Sequence, residues 1–186
     1  FLKRGNLKYS LIYVPEGKEI DIDIEDYLEE TEEDFKLIDE YTRIVSGFDE
    51  KVSQFTSKTN NREYILNAFE KGEIDTLVSM KCLDEGVDVP RSELAIFCAS
   101  TGNPRQFIQR RGRVLRKFRD TYKDGTRKEY AEIYDILVRP NIQGMEKDSI
   151  KLERGIIRGQ LDKITEMSKL ARNQDKCLEK IKEFKN

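Results

Sequence analysis

Short apolar runs of strand-forming residues alternate with segments of helical periodicity along this 186-residue chain. Leu7–Val14 (LKYSLIYV), Val52–Phe55, Asp75–Met80 (DTLVSM), Leu94–Ala99 (LAIFCA) and Ala131–Val138 (AEIYDILV) predict five strands. Between them, three- and four-residue apolar spacing predicts a helix over Glu25–Val45, closed by Gly47, and another over Arg62–Lys71, ended by Gly72. A third starts at Asn103-Pro104, with Asn as N-cap and Pro at the first helical position, and runs to Phe118. Such alternation hides its apolar faces as a parallel sheet covered by helices on both sides. The expected fold is therefore α/β, three layers around a mainly parallel sheet. From Met145 onward, Ile150, Ile156, Leu161, Ile164, Met167 and Leu170, then Leu178, Ile181 and Phe184, predict a helical extension of one long helix or two. The expected division is 1–140 and 141–186.

Composition narrows the class. Charged residues make up 38% of the chain, above the usual ~25%, as for a soluble domain with much solvated helix surface. No apolar run approaches the ~20 residues of a membrane span. The start at Phe1-Leu2-Lys3-Arg4 reads as the tail of an upstream element, so a fragment is expected. The three cysteines, Cys82, Cys98 and Cys177, have no metal-ligand or disulfide spacing, which fits a reducing, cytoplasmic setting. Histidine is absent, which excludes a Ser-His or Cys-His nucleophile and a histidine metal site within the chain. The net charge of −2 hides patterning. Acids crowd Glu16–Glu40, while Arg105–Arg119 forms a basic stripe suited to an anionic partner.

Within that stripe, Gln106, Gln109, Arg113 and Arg116 fall on one helical face, and Phe107, Ile108, Val114, Leu115 and Phe118 on another. The apolar face is expected to dock on the sheet, leaving two guanidiniums one turn apart. Guanidinium is planar and always charged, and bonds oxygens in pairs, which suits dispersed phosphate charge. Gly112 lowers helix propensity by ~1 kcal/mol relative to Ala, so its presence suggests a close approach to the backbone. The bland alternative is a solvated basic face. Leu83–Pro90 (LDEGVDVP) places acids and a permissive glycine in a loop after a strand, where ligands gather in α/β sheets. Taken singly, it reads as an ordinary acidic turn before an edge strand.

Together, Thr76–Pro90 (TLVSMKCLDEGVDVP) and Gln109–Arg116 (QRRGRVLR, a Q-x-x-G-R-x-x-R pattern) resemble motifs V and VI of the C-terminal RecA-like domain of superfamily 2 helicases. Tyr9–Val14 resembles motif IV, and Phe55-Thr56-Ser57 with the Arg62–Gly72 helix resembles the family's strand, threonine loop and helix. The resemblance spans Leu7–Leu137. The form of motif VI is closer to the XPB-like and restriction-enzyme-like branch than to DEAD-box proteins, whose motif begins with His.

The resemblance implies the second motor domain of an ATP-dependent helicase or translocase. Arg113 and Arg116 would be arginine fingers reaching ATP on a first domain, an interaction worth ~10³–10⁵ in rate. Gln109 would sense the γ-phosphate. Asp88 would bond the ribose, with Glu85 and Gly86 beside it. The Glu85-Gly86 backbone, Ser79 and Lys81 would lie near the nucleic-acid backbone or the domain interface. Thr56 and Ser57 would contact phosphates of the tracked strand, which hold position without reading sequence. The implied partners are nucleic acid, DNA before RNA, and an N-terminal RecA-like domain holding ATP and Mg²⁺. The sequence contains no G-x-x-x-x-G-K-[ST] phosphate loop and no Mg²⁺-binding DExx box, so the chain alone is expected to turn over no ATP. A nucleic-acid-binding or scaffold module without an ATP role, or a nucleotide-sensing domain, are the alternatives.

Overall fold

The computed structural model describes residues 7–15, 32–49, 51–80, 87, 89, 91–98, 104–118, 127–138, 141 and 143–185; the side chains of 32–34, 104–107 and 185 are excepted. The chain divides into two compact units, Phe1–Ile136 and Leu137–Asn186.

In the first unit the elements follow the alternation of the sequence. They are β1 (Ser10–Tyr13), α1 (Glu32–Ser46), β2 (Val52–Phe55), α2 (Arg62–Lys71), β3 (Thr76–Ser79), β4 (Leu94–Phe97), α3 (Pro104–Val114) and β5 (Glu132–Asp135). The start of the expected Glu25–Val45 helix and the Asn103 N-cap lie outside the described residues. The five strands form one sheet in the order β2-β3-β1-β4-β5, and every neighbouring pair is parallel.

Parallel neighbours require crossovers, and right-handed crossovers decide which face each helix covers. The step from β1 to β2 runs one way along the sheet, and the steps from β2 to β3 and β4 to β5 run the other. Helix α1 therefore takes one face, and α2 and α3 take the opposite one. On the α1 side, Ile12, Val14, Val78, Met80, Leu94 and Ile96 pack with Ile38 and Val45 of the helix. On the other side, Tyr13 and Phe97 stack with ring centroids 5.0 Å apart, and Phe69 of α2 meets Tyr9 edge-on at 6.0 Å. Burying each such aliphatic or aromatic side chain contributes roughly 1.5–3 kcal/mol.

Helix α3 ends at Val114, short of the expected Phe118. Beyond it Leu115 N–H still reaches Arg111 O at 3.1 Å, but Arg116 N–H turns to Arg113 O at 3.2 Å. That tightening to a three-residue step closes the helix, so Arg116 lies past the last helical residue.

The second unit contains α4 (Lys147–Ser168) and α5 (Gln174–Lys185), packed on each other. Of the two readings of the C-terminal periodicity, two helices is correct. Ala171 N–H to Ser168 O at 3.0 Å and Gln174 N–H to Ala171 O at 3.2 Å form the turn between them. Leu161 and Ile181 are buried.

Helix α2 ends in the left-handed conformation at Gly72 (φ 74°, ψ 25°), whose N–H and that of Glu73 return to Phe69 O and Ala68 O. A Cβ there would stand 2.7 Å from Tyr9 Oη. Gly72→Ala is expected to lower stability by at least ~1–2 kcal/mol, the left-handed penalty alone. A urea midpoint equal to wild type would contradict the assignment.

Candidate nucleotide and nucleic-acid interface

The strand registers align Phe55, Ser79, Tyr13, Phe97 and Asp135 in one row across the C-terminal ends of the sheet. The row lies on the face that α2 and α3 cover, and its members from Phe55 to Phe97 are fully buried. Both carboxylate oxygens of Asp135 are covered as well.

Helix α3 meets this row through Arg110, which is 2% exposed. Its guanidinium lies over the Tyr13 ring, 5.2 Å from the centroid. Its Nη2 donates to Met80 O at 2.9 Å. Met80 follows β3 directly, within the motif V segment. The face of α3 that docks on the sheet thus carries Arg110, Arg113 and Val114, all buried. This corrects part of the expected docking face: Val114 and Phe118 are buried as expected, Ile108 and Leu115 are exposed, and the Phe107 side chain lies outside those described. The physical reason is that arginine is amphipathic: its aliphatic stem covers apolar surface while its fork reaches a strand-end carbonyl.

The expected Arg113/Arg116 pair is also unequal. Arg113 is only 8% exposed, whereas Arg116 is exposed and lies beyond the helix. The two therefore do not stand as equivalent cations on one rigid helix face. Gln109 is exposed. A Cβ at Gly112 would meet no atom within 4 Å, so packing inside this domain does not require the glycine.

At the C-terminal end of β2, the Thr56–Asn61 loop is a closed turn. Thr56 N–H donates to Thr59 Oγ1 at 2.7 Å, and Thr59 N–H to Thr56 O at 3.1 Å. Arg62, over the Phe55 ring, donates from Nη2 to Thr56 O at 3.0 Å and Ser57 O at 3.2 Å. Thr56 is buried and its amide is used within the turn, while Ser57 is exposed. Ser79, expected near the nucleic-acid backbone or the domain interface, is fully buried within this domain, and its Oγ has no hydrogen-bond partner. Lys81, Glu85, Gly86 and Asp88 lie outside the described residues.

Three contributors were missed in the sequence: Arg110, Arg62 and Lys128. Lys128 donates from Nζ to Val114 O at 2.6 Å, a cation at the C-terminal end of α3 where the helix dipole favours one. Burial pulls its pKa down to about 8, against a smaller opposing pull from Glu93. Cys98 is pushed up to about 11 by burial, which makes it a poor nucleophile. Among the described residues no group of three or more His, Cys, Asp or Glu could hold a metal ion, and no helix is long and apolar enough to cross a membrane.

Residues 5–118 match the family described as the helicase conserved C-terminal domain, which covers well over half of the chain. The chain belongs to this family. The helicase C-terminal domain is 44% identical over 75 residues to the DNA 3'-5' translocase XPB2 of Sulfurisphaera tokodaii, covering 40% of this chain and 17% of that protein. It is 36% identical over 66 residues to the DNA 3'-5' helicase XPB of Mycobacterium tuberculosis, covering 35% of this chain and 12% of that protein. It therefore spans a small part of these relatives' length. The C-terminal part of the Fun30 ATPase domain shares its fold at 14% identity and a TM-score of 0.50, covering 83% of this chain and 48% of that one. The DUF1998 helicase MrfA bound to DNA does so at 13% and 0.51, covering 85% of this chain and 17% of that one. The domain's fold is RecA-like.

The Lys128 shift has a defined sign. Unfolded lysine keeps its proton to about 10.4, whereas folded Lys128 sheds it near 8. Between these values the unfolded state binds more protons, so stability rises with pH. Relative to Lys128→Met, the wild-type chain is expected to gain stability from pH 8 to 10 in urea titrations. A flat difference across that window would refute the buried-ammonium assignment.

Proposed function

We propose that this chain is the second motor domain of an ATP-dependent DNA helicase or translocase, and that it completes an ATP site held by a first motor domain. The carrying observation is the outward face of α3. Gln109 and Gly112 are exposed there, with Arg116 just beyond the helix end, and no described residue fills the space above Gly112. Ile108 and Leu115 flank them, 60% and 49% exposed. An apolar, arginine-bearing face with room for close backbone approach suits docking against a second protein surface that carries phosphates.

The residues of this chain are suited to one half of the site. No described residue cradles β- and γ-phosphates, and the sequence has no phosphate loop, so ATP and Mg²⁺ belong to the first domain. Bound there, ATP supplies the phosphoryl group whose transfer drives the cycle. On closure, Arg113 and Arg116 would meet the phosphates, and Gln109 would sense the γ-phosphate. Asp88, with Glu85 and Gly86, would hold the ribose. Ser57 and Lys81 would hold phosphates of the tracked strand. Closure with ATP and opening after hydrolysis then move the two grips relative to each other.

In the complete enzyme, Arg113→Ala is expected to lower kcat by ~10²–10³, about 3–4 kcal/mol of transition-state stabilisation, with little change in KM for ATP. ATPase assays with single-stranded DNA, duplex DNA and RNA read this directly, and wild-type kcat in the variant would remove the finger role. The purified 186-residue chain is expected to show no turnover in the same assays. Gly112→Ala separates fold from function. It is expected to stabilise the isolated chain by roughly 0.5–1 kcal/mol yet lower kcat of the complete enzyme. A stabilised enzyme with full activity would mean that nothing approaches this glycine.

A further inference from the structure

We infer that Arg110 is a positioning residue. It fixes the rotation of α3 about its own axis, and thereby the aim of Arg113, by bonding the end of the strand within the motif V segment. The inference rests on the proposed finger role of Arg113 and deepens it.

Arg110 is an expensive way to fill a core position. Guanidinium stays ionised when buried, and a buried charge must be compensated by bonds and a polarisable neighbour. The structure provides both. The Nη2–Met80 O bond is 2.9 Å long. The Tyr13 ring beneath the guanidinium is itself held by Phe97, with centroids 5.0 Å apart and planes 24° from parallel. Leucine or methionine would bury as much apolar surface but would tolerate rotation, because apolar contact has no direction. A hydrogen bond at the tip of a planar fork does not.

Rotation matters because Arg113 follows one turn later on the same covered face, and Gln109 is the adjacent residue on the open side. At a helix radius of about 6 Å including side chains, a turn of only ~10° moves a side chain by ~1 Å. A displacement of ~1 Å can cost ~10²-fold in rate when reacting groups must be aligned. Met80 adds a second consequence. The anchor of α3 is the last described residue before the motif V loop, so a shift at that strand end and a shift of the motif VI helix are mechanically one event. A strand gripped at motif V would thus adjust the aim of the finger through the buried Arg110–Met80 bond.

The test uses the complete enzyme with single-stranded DNA and measures kcat and KM for ATP with the thermal midpoint. Arg110→Met is expected to fold, to lose ~10–100-fold in kcat and to keep KM for ATP within about threefold, since ground-state binding is held by the first domain. Introduced into Arg113→Ala, the same change should cost little more, because a finger that is gone cannot be mis-aimed. Arg110→Lys keeps charge and one bond but loses the planar fork. It is expected to fall between wild type and Arg110→Met in kcat, which keeps the inference testable if the methionine variant fails to fold. Additive losses in the double variant, or wild-type kcat in a folded Arg110→Lys, would overturn the positioning role. Wild-type kcat in Arg113→Ala alone would instead overturn the finger assignment beneath it.

Discussion

Strand β1 is bonded on both sides, to β3 and β4, and both ladders are parallel. Parallel pairing is the constraint from which the rest follows. It forbids hairpins, forces each connection to cross the sheet, and with right-handed crossovers leaves one distribution of the helices over the two faces. It also gathers all strand ends of one polarity along one edge. The C-terminal ends of β2, β3, β1 and β4 therefore line one edge in that order, although Phe55 and Phe97 are far apart in sequence.

The row Phe55-Ser79-Tyr13-Phe97-Asp135 makes that edge rigid. Its central aromatic pair gives α3 a flat, buried floor, and Arg110 ties the helix to it. The site-bearing helix is thereby docked by Arg110 and Arg113 together with Val114, while Ile108 and Leu115 face outward.

The closed threonine turn after β2 follows the same logic. The Thr56 amide and the Thr56 and Ser57 carbonyls are used by Thr59 and Arg62, so the shape of the turn is preset within this domain.

The sequence alone determined the class of fold, the bounds of the Val52–Phe55 strand and the Arg62–Lys71 helix, and the two motif segments. Each of these is written locally, in apolar period, capping residues or fixed spacing. It did not determine which arginine of Gln109–Arg116 faces inward, that α3 stops at Val114, or that Ser79 is sealed. A buried arginine and a solvated one look alike in a run of charges. The difference arises only when Tyr13 and Met80, distant in the chain, are brought together beneath the helix by the crossovers of a parallel sheet.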